Sequence, residues 1–226
     1  MIEAVVFDLD GVLIDSEPVW EHVRRGLVAG YGGRWPDDAQ RRLMGMSTQE
    51  WARYLSEDLG IGLPPDQVAR LVIRAMAGQY QHHLPLLPGA VDAVRRMAER
   101  WPLGLASSSP PALIHTVLTT AQIAPLFKAI VSTEQVAQGK PAPDVYLAVA
   151  SRLGVAPEHA VAVEDSSNGL RSAAVAGLRV IAVPRPEYPP APDALARAAL
   201  VLADLTELTV HKVAALDQTP GPGQPS

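Results

Sequence analysis

The chain of 226 residues contains no cysteine. Disulfides, thiolate metal sites and thiol nucleophiles are therefore excluded. No run of basic residues suggests a nucleic-acid partner. The formal charge of -5 and the pI near 5.7 are those of an ordinary acidic globular protein. No apolar run reaches the roughly 20 residues that span a bilayer, so no membrane role is expected. The segment Met1-Ile2-Glu3 lacks the basic region and long apolar stretch of a secretory signal. The expected location is the cytoplasm. What is present is apolar residue in quantity, 48% of the chain, enough for a sizeable core. The length fits one large domain, or a core with a small insert.

The most informative segment comes first. Ala4-Val5-Val6-Phe7 reads as a buried strand and runs directly into Asp8-Leu9-Asp10-Gly11. Side chains two apart on an extended backbone point the same way. Asp8 and Asp10 are thus expected to face a common space before Gly11 turns the chain. Two carboxylates in one space repel unless a cation or a shared proton lies between them. The pattern calls for a metal, or for a nucleophile paired with an acid/base.

Further short apolar runs, at 103–106, 129–131, 160–163, 179–183 and 200–202, predict strands. Helical patterns at 89–100, 111–121, 144–153 and 167–176 separate most of them. This alternation predicts an α/β fold, a parallel sheet covered on both faces. The stretch from Pro18 to His83 breaks the rhythm, with helices predicted near 18–31, 36–43, 47–59 and 65–83. The last follows helical spacing through Val68, Leu71, Val72, Ala75, Met76 and Tyr80, and Pro64-Pro65 mark its start. An all-helical block of this length is too long for a simple crossover and reads as an inserted cap domain. The expected organisation is core over 1–15, helical cap over 16–83, core over 84–216, and a disordered tail rich in Pro, Gly and Gln over 217–226.

Four predicted strand ends carry polar residues of complementary types. Asp8 and Asp10 follow the first. Ser107-Ser108-Ser109 follow the second, where hydroxyls and free amides at a helix start suit an anion such as phosphate. Gly139-Lys140-Pro141 follows the third, its Gly and Pro fixing the backbone that aims Lys140. Glu164-Asp165-Ser166-Ser167-Asn168-Gly169 follows the fourth, with oxygen ligands that suit Mg²⁺. Plainer roles exist for some of these. Ser109 before Pro110 reads as a helix cap, and Glu164 or Asp165 could cap the next helix. His82 and His83 are adjacent and so point apart on a helix. His22 on the first helix of the insert could face the site, with a surface position favoured, and His115, His159 and His211 read as surface residues.

Together the segments DLDGVLIDSE, LASSS, GKPAPD and VEDSSNG resemble the four ordered motifs of the haloacid dehalogenase superfamily of phosphotransferases. The resemblance covers the chain except its tail and implies a Rossmann-like core. The insert resembles the helical-cap branch, which includes sugar phosphatases, phosphoglycolate phosphatases and β-phosphoglucomutases. The resemblance implies that Asp8 attacks phosphorus and that Asp10 is the general acid, then the general base. It implies that Ser107 and the amide of Ser108 hold phosphoryl oxygens and that Lys140 neutralises charge. Mg²⁺ is the implied cofactor, held by Asp8, Asp165 and the backbone carbonyl of Asp10, with Glu164 assisting. Trp20, near one connection of the cap, is expected either to contact substrate or to pack. The cap is expected to open and close about the Leu13–Glu17 strap.

Within that family, Asp10 argues against a dehalogenase, which lacks this second aspartate. A phosphonate hydrolase needs a cap lysine for a Schiff base, and Pro18 to His83 contains none. β-Phosphoglucomutases carry a His, an Arg and a Lys near Trp20, Thr48 and Met76. All three positions are uncharged here, and Gly45-Met46-Ser47 keeps the cap turn without its neighbouring charge. Weak anchoring of a distal phosphate favours hydrolysis. The expected function is a Mg²⁺-dependent phosphatase of small phosphomonoesters, foremost sugar phosphates, acting as monomer or homodimer. A mutase, a phosphoglycolate phosphatase and a silent phosphate-binding regulatory protein are the alternatives.

Overall fold

The computed structural model describes residues 1–43 and 46–218, and the chain divides into two compact units. One comprises Met1–Asp15 and the chain from Pro85 on; the other is Ser16–Leu84. Gly45 of the cap turn and residues 219–226 of the expected tail lie outside the described residues. Asp217 and Gln218, assigned to that tail, instead belong to a single 3-10 turn at Leu216–Gln218. It follows a terminal helix that buries Val213, so the apolar pattern extends further than composition suggested. No described helix is long and apolar enough to cross a membrane.

The first strand, β1 (Ala4–Phe7), is buried on both faces, as an uninterrupted apolar run in a covered parallel sheet must be. The helical unit follows. It contains α1 (Glu17–Gly30), α2 (Ala39–Leu43), α3 (Thr48–Arg53) and α4 (Pro65–His82). The α4 helix starts on prolines and buries Val68, Val72, Met76 and Tyr80, one residue per turn on one stripe. At the start of α3, Ser47 Oγ accepts from the Glu50 amide while the Glu50 carboxylate accepts from the Ser47 amide, a reciprocal cap. The helix predicted over 47–59 is not one regular helix: after Arg53 the backbone widens into a π-type turn, Tyr54–Asp58. Trp20 and Trp51 pack with ring centroids 5.9 Å apart, and the buried Arg24 guanidinium lies 4.3 Å and 5.1 Å from their rings.

The other unit continues with α5 (Ala90–Ala98), β2 (Leu103–Ser107), α6 (Pro111–Thr120), β3 (Phe127–Ser132), α7 (Asp144–Leu153), β4 (Ala160–Glu164), α8 (Ser167–Val175), β5 (Arg179–Ala182), α9 (Pro192–Leu195), β6 (Leu200–Val201) and α10 (Val210–Ala215). All strand pairs are parallel, in the order β3-β2-β1-β4-β5-β6. The β3 strand begins two residues before its apolar run. The β2–β3 register shifts between Leu103 and Gly104, which passes over the exposed Lys128. Gly104 has a packing reason: a Cβ there would lie 2.3 Å from Val149 Cγ1 of α7.

Strand order reverses direction at β1. The chain moves outward to β2 and β3, then returns to β4 on the other side. Crevices at the carboxyl ends of strands around such a switch point are where open α/β sheets bind ligands. Asp8, Ser107 and Glu164 end or follow β1, β2 and β4.

Candidate active site

The site grows out of strand pairing. The Asp8 amide donates to the Val163 carbonyl at 3.0 Å, so β1–β4 pairing carries through to the first carboxylate. Lys140, 132 residues away, extends its ammonium into the same place. It donates to Asp8 Oδ1 at 2.7 Å, to Glu164 Oε1 at 2.6 Å and to the Ala106 carbonyl at 3.1 Å. Its three protons are thereby used, and its side chain is only 6% exposed. Burial alone would strip its charge, but the Asp8 and Glu164 carboxylates outweigh burial and hold the ammonium above its usual range.

Glu164 is completely buried and its two oxygens are fully engaged. Oε1 accepts from Lys140 and, at 2.8 Å, from the Tyr146 hydroxyl. Oε2 accepts from the amides of Asp165 and Ser166 and from Ser166 Oγ, at 3.0 to 3.2 Å. Neither acid caps α8. Ser166 does so, its Oγ accepting from the Gly169 amide at 3.1 Å, which leaves both carboxylates to the site.

Oxygens of Asp8, Glu164 and Asp165 lie within 4.8 Å of one another, three carboxylates against one ammonium. Burial above all, with Glu164 and Asp10 adding, pushes Asp8 up to about 8 despite the pull of Lys140. Burial, followed by Glu164 and Asp8, raises Asp165 well above the carboxylate range. Asp165 Oδ1 is buried without a hydrogen-bond partner among the described residues. A buried carboxylate oxygen without a donor, beside a second carboxylate pressed toward protonation, fits a divalent cation, and the all-oxygen set suits Mg²⁺. Two glycines make room for these acids. A Cβ on Gly11, whose φ is +81°, would lie 2.0 Å from Asp165 Oδ2. A Cβ on Gly169 would lie 1.8 to 2.1 Å from the carboxylate atoms of Glu164.

Asp10 is tied to the end of β2. Its Oδ2 accepts from Ser109 Oγ at 2.7 Å and from Ser107 Oγ at 3.3 Å. Ser107 is fully buried, and Ser108 beside it is exposed. The expectation that Ser109 caps α6 is overturned. Pro110 occupies the cap position without a side-chain bond, and Pro111 has no amide to satisfy, so the first turn forms without a hydroxyl. The Ser109 hydroxyl serves Asp10 instead.

The structure thus gathers Asp8, Asp10, Ser107, Lys140, Glu164 and Asp165, with Ser108 adjoining. Trp20 belongs to the helical unit, where it is 7% exposed and packed on Trp51. His22 is exposed. Sequence reasoning passed over Tyr146, Ser132 and the packing role of Gly169, and misassigned Ser109. Only Gly169 carried a signal, as the final residue of its acidic motif.

A buried aspartate–lysine pair lies at the switch point of a parallel sheet with acidic side chains behind it, an arrangement suited to handling an anionic substrate beside a cation. Residues 2–177 match the family described as haloacid dehalogenase-like hydrolase. Hexitol phosphatase B of Escherichia coli (strain K12) is 37% identical over 215 residues, covering 92% of this chain and 95% of its own. The phosphorylated carbohydrates phosphatase of Thermotoga maritima is 34% identical over 181 residues, covering 80% and 84%. The crystal structure of CbbY from Rhodobacter sphaeroides in complex with phosphate superposes with a TM-score of 0.80 at 30% identity, covering 92% and 96%. The chain belongs to the haloacid dehalogenase-like hydrolases, and within them it is a phosphoric monoester hydrolase.

Proposed function

We propose that this protein is a Mg²⁺-dependent phosphatase of small sugar phosphates, acting through an aspartyl-phosphate on Asp8. One observation carries the reading. Lys140 bridges Asp8 and Glu164 at 2.7 and 2.6 Å, while Asp165 keeps a buried oxygen without a donor. An aspartate locked to an ammonium in a closed place is held ready as a nucleophile once a cation takes the place of its proton, and the cluster's acids call for that cation.

In the first step an Asp8 oxygen forms a bond to phosphorus and the ester P–O bond breaks. The electron pair goes to the leaving oxygen, which takes the proton carried by Asp10. Ser107 Oγ and the Ser108 amide hold phosphoryl oxygens, and Lys140 keeps its proton and offsets the charge that gathers there. In the second step Asp10 takes a proton from the water that attacks phosphorus, releasing phosphate and restoring Asp8. The carboxylates of Asp8 and Asp165 and the carbonyl of Asp10 would hold Mg²⁺, with Glu164 orienting Lys140 and the Asp165 backbone from behind. When bound, the cation offsets repulsion between the anionic nucleophile and the anionic ester. Positioning and electrostatics supply most of the effect, as in phosphoryl transfer generally.

Sugar phosphates are favoured by the relatives named for hexitol phosphates and phosphorylated carbohydrates. They are favoured also by the sequence, where Trp20, Thr48 and Met76 stand uncharged at the positions at which the mutases of the family carry a His, an Arg and a Lys. The test is phosphate release from a panel of sorbitol 6-phosphate, fructose 1-phosphate, phosphoglycolate and β-glucose 1-phosphate, with Mg²⁺ and with EDTA. Metal-dependent release, fastest on a sugar or hexitol phosphate and lost by about a thousandfold or more in Asp8→Asn, is expected. Glucose 6-phosphate formed from β-glucose 1-phosphate with little free phosphate would show a mutase instead.

A further inference from the structure

We propose that Ser109 is the positioning residue for Asp10, selecting the carboxylate oxygen that exchanges the proton; this rests on the acid–base reading just given. Ser109 Oγ donates to Asp10 Oδ2 at 2.7 Å, and Ser109 is 6% exposed. The residue is itself pinned on both sides. Its amide donates to Ser107 Oγ at 3.0 Å, and its carbonyl accepts from Ser132 Oγ at 2.7 Å. Ser132 ends β3, is fully buried, and donates its own amide to Gln135 Oε1 at 2.9 Å. A line of hydrogen bonds thus runs across the carboxyl ends of β3 and β2 and terminates on Asp10.

The two serines that reach Asp10 are not equivalent. Ser107 is 3.3 Å away, against 2.7 Å for Ser109. A hydroxyl has one proton to give. Once Ser107 Oγ turns its hydrogen bond to a phosphoryl oxygen, Ser109 is the donor left on Asp10 Oδ2. Asp10 Oδ1 is buried and has no hydrogen-bond partner among the described residues. With Oδ2 held, Oδ1 is the oxygen that carries the proton, and the carboxylate cannot turn without breaking a short, partly buried bond. A misplaced proton donor slows only those steps that need the proton, because acid catalysis depends on reach before anything else.

This gives a test that a merely structural serine would not pass. A sugar or hexitol alkoxide must be protonated as it leaves, whereas p-nitrophenolate leaves unaided. The ratio kcat/KM covers the chain of steps through loss of the leaving group. Ser109→Ala is expected to lower kcat/KM for sorbitol 6-phosphate, or for the fastest ester of the panel above, by about ten- to a hundredfold. For p-nitrophenyl phosphate the loss is expected to stay below about threefold. Ser109→Thr, which restores the hydroxyl, should restore the sugar-ester rate. If Ser109→Ala does not fold, Ser109→Cys carries the same comparison, since a thiol keeps the volume but donates weakly. Equal losses on both esters, or no loss on either, would overturn the proposal. Asp10→Asn measured alongside separates the two layers. If it retains full sugar-ester turnover, the acid–base reading itself fails; if it loses turnover while the Ser109 variants show no leaving-group dependence, only the role of Ser109 fails.

Discussion

The two units hold their polar groups in opposite ways. In the sheet-based unit, polar contacts at the site are remote in sequence: Lys140 to Asp8 over 132 residues, Ser109 to Asp10 over 99, Tyr146 to Glu164 over 18. In the helical unit several are local: Arg42 to Asp38 and Arg70 to Asp66 at four residues, Ser47 to Glu50 at three. Its buried Arg24 rests on two indole rings. Exposed pairs of the local kind contribute little, so apolar packing and helix caps maintain that unit. The contrast implies that the chemistry tolerates almost no substitution while the helical unit can vary its surface freely.

The contrast is broken most sharply at Gly169. Adding one methyl there, in Gly169→Ala, drives a Cβ into the Glu164 carboxylate, so the acid or the start of α8 must move. Turnover is expected to fall about a hundredfold, because Glu164 fixes Lys140 and the Asp165 amide. The cost in stability should be about 1–3 kcal/mol, the usual range for overpacking, read by denaturant unfolding. Gly26→Ala on α1, where nothing lies within 4 Å, is the matched control and should leave turnover unchanged.

A second effect concerns charge. Asp8 titrates near 3.8 in an unfolded chain and at about 8 in the metal-free fold, so the folded state holds the proton more tightly. The stability this group contributes is complete below about pH 3.8 and is lost as the pH rises through about 8. Asp165, also raised, acts in the same direction. The metal-free protein should lose stability over that window, by at most about 1.4 kcal/mol per pH unit for each group. Mg²⁺ should reverse the loss, since it replaces the proton. The rise in Tm on adding Mg²⁺ should therefore grow between pH 5.5 and 8, and a flat rise would argue against a metal on these carboxylates. The smallest effect is on the other side of the comparison. Arg24→Met keeps the apolar stem but removes the cation from the indole faces, which should lower stability by roughly 1 kcal/mol. Turnover of p-nitrophenyl phosphate should remain within twofold.

Much of the sheet is readable in the sequence because each strand of a covered parallel sheet is an apolar run with an abrupt end. Ala4–Phe7 and Ala160–Glu164 are clear cases, each flowing into its acids. The reading falters where periodicity is short or interrupted. Lys128 hides the start of β3, and Pro192–Leu195 and Val210–Ala215 are too brief to show a helical stripe. The acids and Lys140 stand out because ionisable residues directly after apolar runs are conspicuous. Tyr146 and Ser132 do not. One sits inside an amphipathic helix, the other ends a strand, and their importance lies in contacts 18 and 23 residues away that no local pattern encodes. Ser109 was obscured by its neighbours, because Ser-Pro-Pro spells a helix start.

The central position of β1 has a consequence for how the protein is made. It leaves the ribosome before the other strands of its sheet, and one of its two edges waits for β4, whose partner for Ala4 is Ala160. At ordinary rates of synthesis that edge stays open for roughly ten to thirty seconds. During this interval a short, wholly apolar strand presents unpaired amides and carbonyls, a template for any other extended segment nearby. Variants that slow the arrival of β4 should therefore be lost to aggregation in the cell even when the finished fold is as stable as before.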